Sequence, residues 1–275
     1  MNELRFGTAG IPKRTSGDTM KGIEDVKKMG LGNMELEFVR SINISEEKAP
    51  IVREVAKKND VILTCHAPYF INLNSQEKKK YYASIYRITK SAEIANLCGG
   101  YSVCFHPGFY MKEDEKKVYV KIRDAIKDIS KEVRDTGNKI WLRPETTGKG
   151  TQFGNINELI KISEEVEQVL PCVDFAHLHA RSNGNYNTTE EFEDVLKKIE
   201  SKLGKNALEN MHIHMSGINY TEKGERNHMT LEESDMNYKD LIKVWKEFKI
   251  KGVVVCESPI IEEDSLLMQG IYNGK

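Results

Sequence analysis

Short apolar runs bounded by turn residues alternate along this chain with longer segments of helical period, and that alternation admits few folds. Eight runs stand out: Leu4–Phe6, Met34–Phe38, Val61–Cys65, Tyr101–Phe105, Lys139–Leu142, Leu170–Val173, Met211–Met215 and Gly252–Cys256. They are near-continuously apolar, as strands must be when helices cover one face and packed interior the other. Repeated βα units of this kind build a parallel sheet, and eight of them predict a (β/α)₈ TIM barrel. A length of 275 residues suits one such barrel, so residues 1–275 are expected to form a single domain.

The intervening segments read as helices. Asp18 can cap a helix whose apolar positions Ile23, Val26 and Met29 stop at Gly30. Ile122, Ala125, Ile126, Ile129 and Val133 form a stripe before Gly137, and Leu241, Ile242, Trp245 and Phe248 form another. Asn219–Asp235 has no apolar period and is expected to be a long loop after the seventh strand, a place where barrels often keep functional residues. The charged fraction is 30%, but the formal net charge is −1, so any nucleic-acid surface must be local. No apolar run approaches the roughly 18 to 20 residues that span a bilayer. With no signal-peptide core at the N-terminus, the chain is expected to be cytoplasmic and monomeric. Five cysteines without a C-x-x-C pair read as reduced core residues.

The seven histidines are not scattered. His66 and His106 follow the third and fourth runs, His177 and His179 come just after the sixth, and His212 and His214 lie in the seventh. His228 sits in the loop beyond it. Carboxylates follow the same rule: Glu145 after the fifth run, Asp174 after the sixth, Glu257 after the eighth. In a closed parallel barrel the C-terminal strand ends converge on one rim, so these residues become neighbours. Crowded imidazoles and carboxylates in a partly buried pocket are costly unless cations compensate them. Nitrogen and oxygen donors without a rim cysteine suit zinc, manganese or iron. A carboxylate such as Glu145 can bridge two ions, and a pair roughly 3.5–4 Å apart suits an in-line hydrolytic displacement. Glu35 and Glu37 end the second strand on one face, so either could point into the mouth. His179 and His214, two residues beyond expected ligands, suit supporting or substrate-contacting roles.

The segments His66-Ala67-Pro68-Tyr69-Phe70-Ile71-Asn72-Leu73 and Phe105-His106-Pro107-Gly108 resemble the third- and fourth-strand motifs of the endonuclease IV family. Pro144-Glu145-Thr146-Thr147-Gly148-Lys149-Gly150, Val173-Asp174-Phe175-Ala176-His177, and Met211-His212 followed distantly by Glu257-Ser258-Pro259 agree in order and spacing. The resemblance runs from about residue 60 to 260 and implies a barrel enzyme with a trinuclear zinc centre that cleaves DNA on the 5′ side of abasic sites. It implies that His66, His106 and Glu145 hold one ion and that Glu145 bridges to a second, completed by Asp174, His212 and Glu257. His177 and two residues of the loop after the seventh strand are implied for a third.

That loop departs from the family's Asp-x-His. Ungapped alignment puts Glu225 and Asn227 there, with His228 displaced by one. Either a small adjustment brings His228 onto the ion, which accounts for a histidine at that place, or the third site is weak or empty. Two or three zinc ions are therefore expected, manganese being an alternative. Tyr69 and Phe70 match the family's duplex-wedging positions, and Lys149, Arg181, Lys223 and Arg226 lie on loops suited to phosphate contact. The partner so implied is DNA containing abasic sites, with Glu145 the central catalytic residue. Metal-dependent sugar isomerases and epimerases share the barrel and use Glu, Asp and His. Their sites are richer in carboxylate than in imidazole, which sets them apart from the histidine-rich set here.

Overall fold

The computed structural model describes residues 1–275. Eight parallel strands form one sheet: β1 (Leu4–Ala9), β2 (Asn33–Glu37), β3 (Ile62–His66), β4 (Ser102–Phe105), β5 (Trp141–Pro144), β6 (Cys172–Asp174), β7 (Met211–Met215) and β8 (Gly252–Cys256). Their spatial order is β5-β4-β3-β2-β1-β8-β7-β6. The bridges Leu142↔Val169 and Glu145↔Cys172 join the two ends, so the sheet nearly closes into the predicted (β/α)₈ TIM barrel. One contiguous apolar core lies between this sheet and the helices around it.

Local chemistry explains the helix boundaries. The side chain of Asp18 accepts from the Lys21 amide and caps helix Thr19–Lys28, and Gly30 leaves it at φ +81°. Helix Glu115–Asp135 buries the expected stripe, Ile122 to Val133. The expected runs Met211–Met215 and Gly252–Cys256 are reproduced as strands without change. The fifth is displaced to Trp141–Pro144, because Lys139 and Ile140 still belong to the turn held by Asn138. A further helix, Ile261–Tyr272, closes the barrel against β1, Tyr272 packing on Phe6.

The expected loop Asn219–Asp235 is largely ordered as an antiparallel hairpin, Gly217–Thr221 paired with Gly224–Met229. Its strands carry polar residues on both faces, so no apolar period announces them. A register shift between Asn219 and Tyr220 bends the ribbon. All five cysteines are buried and unpaired, as expected. No helix is long and apolar enough to cross a membrane.

Candidate metal centre

Strand register decides which side chains share the rim. His66 stands level with Glu37 and Cys104, and His214 with Asp174 and Val255. His212 is level with Cys172, one layer deeper. The rim therefore gathers His66, His106, Glu145, Asp174, His177, His214 and Glu257. The hairpin swings Glu225 and His228 over it.

Glu145 is the hub. Its Oε2 lies 3.4 Å from His66 Nε2, and its Oε1 lies 3.4 Å from His106 Nε2, 3.4 Å from His177 Nδ1 and 3.3 Å from His214 Nδ1. Donor atoms converge in overlapping groups: His106, Glu145 and His177; Glu145, Asp174, His214 and Glu257; His177, Glu225 and His228. Glu145 Oε2 and Asp174 Oδ2 are buried without any hydrogen-bond partner, the condition of oxygens waiting for a cation.

Three imidazoles are fixed in the orientation that ligation needs. His66 Nδ1 is 2.6 Å from the Ala67 carbonyl, His177 Nδ1 2.9 Å from the Thr146 carbonyl, and His228 Nδ1 3.1 Å from the Glu257 carbonyl. A carbonyl only accepts, so each Nδ1 carries the proton and each Nε2 is turned toward a carboxylate of the centre. His66 Nε2 faces Glu145, while His177 Nε2 and His228 Nε2 face the two oxygens of Glu225 at 3.6 and 3.9 Å. The residues present thus fit a cluster of divalent ions with mixed nitrogen and oxygen donors.

The same crowding sets the electrostatics. Burial alone would lower the pKa of His66, but Glu145, Glu37 and Glu35 outweigh it and push it up to about 10. Burial is likewise overcome at His177, chiefly by Asp174 and Glu145, and at His214. Against burial, the imidazolium neighbours hold Glu145 well below the usual carboxylate range. Burial and the nearby Glu35 raise Glu37 to about 8, so it stays protonated near neutrality. Without metal, protons on the imidazoles supply the positive charge that the carboxylates demand.

The structure brings most of the expected site residues together and places two of them differently. His212 is not at the rim: its Nδ1 lies 2.9 Å from Ser102 Oγ and its Nε2 3.1 Å from Glu35 Oε2, and burial lowers its pKa to about 4. His214 stands in its place, because side chains two apart on a strand share a face at different depths. Arg181 turns its guanidinium toward the loop after β5. Its Nη1 donates to the Lys149 and Gln152 carbonyls at 2.6 and 2.8 Å and to Thr147 Oγ1 at 3.0 Å, pinning the loop after β5.

Asn227 points away, donating to the His228 carbonyl, so His228 and Glu225 complete the third group. Glu225 approaches because residue 148 is glycine: a Cβ there would lie 2.7 Å from the Glu225 side chain and 3.0 Å from His177 Cδ2. His179 is buried and bonds the Asn185 carbonyl and Asp235, supporting the hairpin's base. Tyr69 and Phe70 stand at the rim, 52% and 66% exposed, with Tyr69 5.0 Å from the His66 ring and the Phe70 carbonyl held by Arg87. Lys223 and Arg226 are exposed on the hairpin, and Lys149 is half-buried on the loop beneath it. A cavity of about 660 Å³ lies beside the rim rather than in it, lined by Arg40, Tyr86, Arg87 and Lys90. Lys90 is engaged by Glu46 and Glu93 there.

A family described as xylose isomerase-like TIM barrel matches residues 23–270. An uncharacterized protein of Methanocaldococcus jannaschii is 44% identical over 270 residues, 98% of this chain and 97% of that protein. A probable endonuclease 4 of Mycoplasma pneumoniae is 25% identical over 202 residues, 72% of this chain and 68% of that one. Endonuclease IV from Thermus thermophilus superimposes with a TM-score of 0.76 at 18% identity, covering 98% of both chains. A D-tagatose 3-epimerase-like protein also gives 0.76, at 17% identity over 98% of this chain and 96% of its own.

Proposed function

The chain belongs to the xylose isomerase-like TIM barrel family, and from that premise we propose that it hydrolyses DNA phosphodiester bonds on the 5′ side of abasic sites in base excision repair, with two or three zinc ions at the rim. The observation that carries this reading is the set of imidazoles pinned through Nδ1 with Nε2 turned to the centre, which brings the rim to five imidazoles against four ligand-type carboxylates. Similarity to endonuclease 4 sequences supports it.

Zinc, when bound, polarises the phosphoryl group and makes a water molecule acidic enough to attack near neutral pH. The chain's residues do the rest. Glu145 lies within 3.4 Å of His66, His106, His177 and His214 and so ties the first two donor groups together. The resemblance assigns His66, His106 and Glu145 to a first ion; converging donors support Glu145, Asp174, His214 and Glu257 for a second and His177, Glu225 and His228 for a third. Tyr69 and Phe70 stand where exposed rings can wedge into a duplex and expose the abasic nucleotide. Lys149, Lys223 and Arg226 surround the rim at phosphate-contacting positions, and Arg181 holds the loop that carries Lys149.

A second reading, a metal-dependent sugar epimerase or isomerase, is favoured by the equal superposition on the D-tagatose 3-epimerase-like protein. The group Glu145, Asp174, His214 and Glu257, three carboxylates to one imidazole, would alone suit it. A duplex carrying one abasic site separates the two. With zinc or manganese supplied, a nick 5′ to the lesion and none in the intact duplex is expected. A fully metal-loaded protein that leaves the lesion uncut while epimerising a ketose would overturn the nuclease reading.

A further inference from the structure

Barrel interiors are ordinarily filled with layers of branched aliphatic side chains. Directly beneath this rim the filling is instead Glu35, Cys104, Cys172, His212 and, lower still, Arg143, all buried. Donor atoms of Cys104, Cys172, His212 and His214 lie within 4.8 Å of one another, and none of the four side chains is exposed.

We propose that these four side chains form a second, separate metal site inside the barrel, of the two-sulfur, two-nitrogen tetrahedral kind that takes zinc. It shares His214 with the rim, while the hydrolytic reading uses neither cysteine nor His212. The spacing is right: Cys104 Sγ lies 3.6 Å from His214 Nε2. Bond lengths of about 2.3 Å to sulfur and 2.0–2.1 Å to nitrogen at a tetrahedral angle put such atoms about 3.5 Å apart. Ser102 Oγ at His212 Nδ1 fixes that ring, leaving Nε2 directed inward, as metal-bound imidazoles require.

A second observation points the same way. His212 Nε2 and Glu35 Oε1 are fully buried without a hydrogen-bond partner. Glu35 oxygens do approach the two imidazoles, at 3.1 Å for His212 and 2.9 Å for His214, but without hydrogen-bond alignment. Nitrogens and oxygens in contact yet not aimed at one another are what converging ligands look like. Binding releases the two thiol protons and the proton that His214 carries without metal, and leaves a neutral ZnS₂N₂ unit, so the Glu35 and Arg143 charges still offset each other. His214 presents Nδ1 to the rim and Nε2 to the interior; if the rim claims it, Glu35 Oε1 is the nearest replacement.

The two sites differ in chemistry, so they can be told apart without measuring activity. After dialysis against a strong chelator, about one ion per chain should remain, because the inner site has no exposed ligand. Glu145→Gln should leave that ion in place, and Cys104→Ser with Cys172→Ser should remove it. Should the double variant fail to fold, the wild-type protein loaded with cobalt(II) decides. Thiolate-to-cobalt charge-transfer absorption in the near ultraviolet is expected from the inner site; because Cys104 also lies within reach of His66 and Glu145 at the rim, the band must persist in chelator-treated Glu145→Gln protein. Cobalt-loaded protein lacking that absorption, or chelated folded protein holding no ion, overturns the proposal and leaves the rim reading untouched. Rim ions without nicking would sink the nuclease reading and not this one.

Discussion

Replacing Glu145 with glutamine removes one charge and almost no volume, at the one residue every rim imidazole but His228 touches. Four imidazole nitrogens lie 3.3 to 3.4 Å from its oxygens. At an effective dielectric near 20, a unit charge pair at 3.4 Å is worth about 5 kcal/mol, or about 3–4 pKa units on a single protonated ring. In the metal-free protein His66 should therefore fall from about 10 to its ordinary range or below, a shift read directly by NMR titration of the ring protons. Metal-loaded enzyme should lose activity by at least about 10³-fold, since each tenfold needs only about 1.4 kcal/mol. The barrel should survive, because the Glu145 amide bonds the Phe105 carbonyl at 3.0 Å whatever the side chain carries. A Glu145→Gln protein that keeps its rim ions and whose His66 titration does not move would refute the hub assignment.

His214→Ala should strip chelator-labile ions from the rim, while His212→Ala should keep them and cost about 1–3 kcal/mol of stability from the Ser102 and Glu35 groups it leaves unpaired; metal analysis and thermal melting separate the two. Gly148→Ala places a methyl 2.7 Å from Glu225, so the labile ion count should drop by one with the other rim ions retained. Raised folded-state values for His66, about 10, and Glu37, about 8, mean stability that is full at low pH and lost as pH climbs through those values. Chelated protein should accordingly melt at lower temperature as pH rises from about 5 to 10. Zinc affinity should move the other way over the same range, by about tenfold per pH unit for each proton displaced.

How much of this was legible in the sequence follows from which signals are local. Apolar runs ended by ligand-type residues announced both the barrel and the rim, because a parallel barrel turns strand order into proximity. Depth was not legible. Choosing between His212 and His214 requires the register of β7 against β6, and the motif Met211-His212-Ile213-His214 allows either. The hairpin over the rim was hidden for a related reason: Gly217–Thr221 and Gly224–Met229 are polar on both faces, so their pairing leaves no periodic trace. Arg181 read as a free cation because nothing local shows that its guanidinium is committed to the 147–152 backbone. The inner cysteines were expected to be inert core. Only coordinates reveal that Cys104 and Cys172, on different strands, meet the same two imidazoles.

Charge balance at the rim bears on the choice of substrate. As metal ligands, the carboxylates Glu145, Asp174, Glu225 and Glu257 would bring four negative charges to the rim. Two divalent cations cancel them, whereas three leave an excess of two positive charges in a partly buried pocket, which is costly unless an anion shares it. A phosphodiester brings such charge and a sugar does not, so a rim built for the former should fill its third position cooperatively with the anion. Zinc titrated into chelated protein, followed calorimetrically, should show its weakest rim step tightening when inorganic phosphate is present, and phosphate should in turn bind better to the three-ion form, since the coupling is reciprocal. If Glu225→Gln left that coupling intact, the hairpin would not be what prepares the rim for an anion, and the neutral-substrate reading would gain.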